Sequence, residues 1–193
     1  MNDLTITISR ENGSGGREVG RIVADRLGIA YYDQEIIAAT ARESGMSVED
    51  VAKGEERSGG SPFFFYGIPA PNPVFAAQSK AILDLAEKGP AVFVGRCSDY
   101  VLRGRPHLVN VFVHAPLDAR AKRSSERNGT TLESARAWVQ KTDDERAVYY
   151  QRHTGRIWGS VQLYHLSVDT GPIGVENTAE MIIEYTRMMG YVD

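Results

Sequence analysis

The run Ile6-Thr7-Ile8-Ser9-Arg10-Glu11-Asn12-Gly13-Ser14-Gly15-Gly16-Arg17-Glu18-Val19-Gly20 limits what this chain can become more than any other segment. A short β-branched strand feeds a glycine-rich turn, and the turn opens a helix with apolar residues at Val19, Ile22, Val23 and Leu27. Successive backbone N–H groups in such a turn, together with the positive end of the helix dipole, form a concave anion site. The residues Asn12, Gly13, Ser14, Gly15, Gly16, Arg17 and Glu18 are therefore the expected phosphate cradle. It departs from the pattern G-x-x-x-x-G-K-[ST]. Aligned on Gly16, that pattern places its lysine at Arg17 and its Ser or Thr at Glu18.

The remainder of the chain alternates short Val/Ile-rich strands with helices. Strands are expected at Leu4–Ser9, Ile29–Tyr32, Ala91–Val94, Leu108–His114 and Leu163–Val168. Helices are expected after the glycine turn, after Asp33, over Val74–Glu87, from Pro116, over Thr131–Tyr150 and over Val175–Met189. In the Thr131 helix, Ala135, Trp138, Val139 and Val148 are the candidate inward positions. Between Gly54 and Pro73 periodicity gives way to Gly, Pro, Ser and aromatics, which reads as a long loop. Alternation of this kind predicts a parallel sheet covered on both faces, with ligands beyond the carboxyl ends of its strands.

Three segments join the cradle as candidates for phosphate chemistry. Arg96 follows a buried strand, Arg120 and Arg123 share a helical face, and Asp143 and Arg146 share another. Guanidinium groups stay charged and grip phosphate oxygens bidentately, and phosphoryl transfer needs mainly positioning and charge stabilisation. Asp33 has two readings, as a site residue or as a helix cap.

In their order, these segments resemble the cytidylate kinases, and more closely the divergent cytidylate kinase-like family of bacteria. The resemblance rests on Ile8-Ser9-Arg10 with Gly13-Ser14-Gly15-Gly16-Arg17-Glu18, Tyr32-Asp33, Val94-Gly95-Arg96, Phe112-Val113-His114-Ala115 with Arg120 to Arg123, Asp143 to Val148, and Leu166 to Thr170. Cys97 stands where the true kinases carry Asp. The resemblance implies a P-loop NTPase-like three-layer α/β/α fold with a parallel sheet of about five strands. A single domain over 1–193 would then carry a substrate-binding insert near 45–75 and a lid near 120–150. It implies ATP and Mg²⁺, with Glu18 a candidate metal ligand, and a small acceptor such as CMP. Arg17 would replace the loop lysine. Arg120, Arg123 and Arg146 would contact ATP and the transferring phosphates, with Asp33, Arg96, Asp143 and Arg146 near the acceptor. Two alternatives stay open: a non-catalytic nucleotide sensor, and a kinase for a non-nucleotide metabolite.

Composition narrows the partners. Lys and Arg total 22 against 25 Asp and Glu, a net charge of −3, which disfavours nucleic acid. The single Cys97 fits a reducing compartment, and no stretch has the pattern of a signal peptide or the length of a membrane span. A soluble cytoplasmic protein is expected. The aromatic run Phe63-Phe64-Phe65-Tyr66, in the 54–75 loop, is a candidate homodimer contact or acceptor lid.

Overall fold

The computed structural model describes residues 3–49, 51, 64–65, 68–69 and 72–192. In chain order the elements are β1 (Thr5–Arg10), α1 (Gly16–Leu27), β2 (Ala30–Tyr32), α2 (Gln34–Ser44), β3 (Phe64–Phe65), β4 (Ile68–Pro69) and α3 (Pro73–Ala86). There follow β5 (Ala91–Val94), α4 (Ser98–Val101), β6 (Leu108–His114), α5 (Leu117–Asn128), α6 (Leu132–Thr154), β7 (Leu166–Asp169) and α7 (Thr170–Met188). Five strands form one parallel sheet in the order β2-β5-β1-β6-β7.

The two-residue period of the strands divides the core. Val92 and Val94 of β5 join Ile6, Ile8, Val109, Val111 and Val113 in a cluster under α1 and α7. Ala91 and Phe93, one step out of phase, turn to the other face and meet Ile36, Ile82 and Leu85 of α2 and α3. Helices therefore cover both faces, as a sheet of continuously apolar strands requires. β1 sits at the centre, and the chain leaves it first towards β2 and β5, then returns past it to β6 and β7. That reversal of direction creates a crevice at the carboxyl end of β1.

Local signals behave as their chemistry dictates. Gly28 ends α1 in a left-handed conformation (φ 64°), donating its N–H to Ala24 and Asp25 carbonyls. Asn72 caps α3 through its side chain, which accepts from the Val74 and Phe75 N–H groups. Three expectations need correction. The last strand begins at Leu166, not Leu163, because Val161–Leu163 forms a 3₁₀ turn. The last helix runs on from Val175 as expected, after a short helical turn from Thr170 that breaks at Gly174 (φ 76°, ψ 175°). Phe64–Phe65 and Ile68–Pro69 pair as a short antiparallel hairpin within the expected loop. In α6, Ala135 and Val139 are buried as expected, but Trp138 (53% exposed) and Val148 (47%) are not. Ala135 and Val139, four residues apart, share the inward stripe; Trp138 falls at its edge and stays half exposed, and Val148 falls on the opposite side of the helix from Val139.

Most of the 45–75 insert, including Phe63 and Tyr66, lies outside the described residues, as do the side chains of Phe64 and Phe65. No helix among the described residues is long and apolar enough to cross a membrane.

Candidate active site

The glycine turn occupies the crevice at the end of β1. Glu11 N–H donates to the Val113 carbonyl and Ser14 N–H closes a turn onto the Glu11 carbonyl. The Ser14 side chain points inward, donating to the Glu11 (2.8 Å) and Val113 (3.1 Å) carbonyls, while its own carbonyl accepts from the Thr170 hydroxyl at 2.7 Å. Ser14 is thus an anchor of the turn. Gly15 takes the N-cap position of α1 at φ 86°, a conformation that suits glycine. Among the described residues, the N–H groups of Gly13, Gly15, Gly16, Arg17 and Glu18 have no intramolecular acceptor. These donors at a helix N-terminus are what an anion site consists of.

Arg120 and Asp143 hold this turn in shape. The buried Arg120 guanidinium donates from Nε to the Ala115 carbonyl (2.9 Å) and from Nη1 to the Asn12 carbonyl (3.1 Å). It also pairs with Asp143 at 2.5 Å and Glu11 at 3.1 Å. Asp143 in turn accepts from Asn12 N–H at 2.7 Å. Burial raises the Asp143 carboxyl above its ordinary value, although the Asn12 N–H and the arginines oppose that rise. Arg123 donates to the Gly13 carbonyl at 2.9 Å, and Arg146 to the Arg10 carbonyl at 3.0 Å.

Asp33 sits at the N-cap of α2 but does not cap its helix through its side chain. Its carboxylate, buried, faces Arg17 at 2.9 Å, Arg96 at 3.3 Å and Arg10 at 3.9 Å. Arg96, one residue beyond the end of β5 after Gly95, adopts φ 55°, a backbone conformation that costs energy for a non-glycine residue.

Two clefts open on this constellation. One, of about 400 Å³, is lined by the glycine turn, Glu18, Arg123, Arg127, Asn128 and Trp138. The other, of about 330 Å³, is lined by Arg96, Cys97, Glu145, Tyr149, Tyr150 and Trp158. Arg10, Arg17, Thr142 and Arg146 line both. Behind the second cleft, Tyr150 donates its hydroxyl to the buried Asp99 at 2.5 Å. Burial raises the Asp99 carboxyl, and burial beside Asp99 raises the Tyr150 hydroxyl.

A model of the cytidylate kinase-like family matches residues 5–172. The chain belongs to that family. It is 28% identical to the cytidylate kinase of Aeropyrum pernix over 184 residues, covering 95% of this chain and 99% of that one. A crystal structure of an uncharacterized protein from Eubacterium ventriosum superposes with a TM-score of 0.75 at 26% identity, covering 95% and 98% of the two chains. Shikimate kinase from Acinetobacter baumannii, solved with shikimate, superposes at 0.55 and 15% identity over 96% and 93%, which shows the shared P-loop kinase fold. The family and its relatives indicate a kinase-type, nucleotide-binding transferase that phosphorylates a small substrate.

The structure brings every expected site residue to this one edge of the sheet. Sequence reasoning gave no site role to Arg10, Thr142 or Trp158, and read Trp138 as an inward core position. Arg10 was legible as the polar residue ending an apolar strand directly before the glycines. The others lie on α6 and the loop after it, where only tertiary packing shows which face meets a cleft.

Proposed function

We propose that this protein transfers the γ-phosphoryl group of ATP to a nucleoside monophosphate, with CMP the leading acceptor. The observation that carries the reading is the pair of clefts that share Arg10, Arg17, Thr142 and Arg146. A donor in one and an acceptor in the other would meet at a wall of guanidinium groups. The free N–H groups from Gly13 to Glu18 would hold the donor phosphates, and Arg123 would approach from α5. Arg96 and Arg146 would line the acceptor side, with Asp33 behind them against Arg17 and Arg96 and the rings of Tyr149, Tyr150 and Trp158 beside the base. The name of the Aeropyrum relative supports CMP.

The helix pair α5 and α6 would act as the lid, with Asp143 and Arg120 coupling it to the glycine turn. Closure excludes water and strengthens charge interactions in the site.

Among the described residues there is no group of three or more His, Cys, Asp or Glu able to hold a metal ion. This fits Mg²⁺, which usually keeps several waters and binds through one or two carboxylates and the substrate's own phosphates. Glu18, exposed on the rim of the donor cleft, would be the carboxylate to meet it. When bound, the ion would neutralise charge on the β- and γ-oxygens.

The test is ADP release with ATP, Mg²⁺ and a panel of nucleoside monophosphates, shikimate and gluconate. ADP release dependent on CMP, lowered at least about tenfold by Arg17→Ala, is expected. Release dependent only on a non-nucleotide acceptor, or none with any acceptor, would overturn the assignment.

A further inference from the structure

The glycine turn can be read in two registers against G-x-x-x-x-G-K-[ST], and backbone geometry chooses between them. In the first, the second glycine is Gly16. Yet Gly16 is the first residue of α1 and is not among the positive-φ glycines. In the second it is Gly15, whose φ of 86° suits a glycine. The second register also starts at the last residue of β1 and opens the helix on the residue after Gly15, as strand, loop and helix do in that motif. Its four defining positions are Arg10, Gly15, Gly16 and Arg17.

Two departures then become one exchange. An arginine stands at the motif's first glycine, and a glycine stands at its lysine. The structure shows why they come together. A Cβ on Gly16 would lie 2.6 Å from Arg10 Cβ and 2.8 Å from Arg10 Cγ, so the Arg10 side chain passes through space that a residue at 16 would occupy. A Cβ on Gly95 would lie 1.8 Å from Arg10 Nη1, so a second glycine makes room for the guanidinium. The Arg10 side chain is 11% exposed, and its carboxylate partner Asp33, 3.9 Å away, also faces Arg17 and Arg96. Arg10 nevertheless lines both clefts.

We infer that Arg10 supplies, from the end of β1, the cation that the loop lysine supplies from the start of the helix in an ordinary phosphate loop. Its guanidinium contacts the oxygens of the transferring phosphoryl group, and Gly16 and Gly95 are the two vacated positions that admit it. The inference rests on the donor-site assignment above. Burial and the neighbouring Arg146 push the Arg10 guanidinium down to about 9, as expected for a cation short of negative charge until an anion arrives. Arg17, freed from the lysine's role, lies against Asp33 on the acceptor side.

The test is an exchange in reverse. Arg10→Met, which keeps bulk without charge, should lower kcat with CMP at least about a hundredfold, the scale of a cation placed on a transferring phosphate. Gly16→Lys alone should also be impaired, because its side chain collides with Arg10. The double variant Arg10→Gly with Gly16→Lys should recover at least about tenfold over Arg10→Gly alone. Arg10→Met within threefold of the parent, or a folded double variant no better than Arg10→Gly, would overturn the inference. ATP affinity by equilibrium dialysis provides a readout independent of turnover. If the parent binds ATP but releases no ADP with any acceptor, the kinase reading fails. The Arg10 assignment then stands on weaker ATP binding by Arg10→Met and falls if that binding is unchanged.

Discussion

Replacing Arg120 tests whether the arginines here are interchangeable phosphate contacts or have divided roles. Arg120 donates to two backbone carbonyls and pairs with Asp143 and Glu11, with its side chain 8% exposed. Arg120→Ala leaves Asp143 with the Asn12 N–H and Arg146 at 3.5 Å, and strips a donor from the Asn12 and Ala115 carbonyls. Removing one member of a buried ion pair costs about 3–5 kcal/mol. For a chain of this size that corresponds to a Tm lower by about 6–20 °C. Arg123 makes one bond, to the Gly13 carbonyl, from a half-buried position, so Arg123→Ala should cost only about 1 kcal/mol. Thermal unfolding followed by circular dichroism distinguishes them. Arg120→Lys should rescue little, since an ammonium lacks the planar fork that reaches all four acceptors. The double variant Arg120→Met with Asp143→Asn should cost less than the two single changes summed, because no charge is left unpaired. An Arg120→Ala protein melting within about 2 °C of the parent would refute the view that Arg120 holds the loop.

Three further outcomes follow from the same geometry. Gly15→Ala should destabilise more than Gly28→Ala although both have positive φ, because a Cβ at 15 would meet Val175 Cγ1 at 2.6 Å and one at 28 would meet nothing within 4 Å; equal losses in urea titrations would contradict this. Burial raises the Asp99 carboxyl, so the folded protein holds that proton more tightly than the unfolded chain does. Its contribution is fullest below the unfolded value of about 3.9 and declines as pH rises towards the raised folded value, so the Tm of the parent minus that of Asp99→Asn should fall as pH increases from 3.5 to 7. A flat difference would argue against it. The two tryptophans divide between the clefts, Trp138 at the glycine turn and Trp158 beside Arg96, with Trp158 edge-on to Phe112 at 5.3 Å. ATP should therefore alter the fluorescence of Trp158→Phe and leave that of Trp138→Phe nearly unchanged; the reverse pattern would exchange the two clefts.

The order of strands and helices, the glycine turn and the helix stops could be read from the chain because each depends on near neighbours. β-branched runs of four to seven residues and Gly28 after Leu27 impose their geometry locally. The arginine-bearing segments were legible for a different reason, their ordered likeness to a known family. What each arginine does was not legible. Arg120 and Arg123 have the same side chain on the same helix, yet one is buried against the turn's carbonyls and carboxylates while the other keeps a single bond. That difference arises from where α6 brings Asp143, 131 residues from Asn12 in sequence, against Arg120 and the turn together.

Asp33 and Trp138 make the same point. A carboxylate before a helix reads as a cap, and only the arrival of Arg10, Arg17 and Arg96 from three other segments draws it away. Trp138 fits an inward stripe until the cleft beside the glycine turn offers it another surface. By itself the sequence determined a parallel α/β sheet with an anion site at the end of its first strand, because backbone propensity and a glycine turn act over a few residues. Tertiary structure alone decided the register of that turn and the occupant of its lysine position, because the space over Gly16 is filled by a side chain from β1.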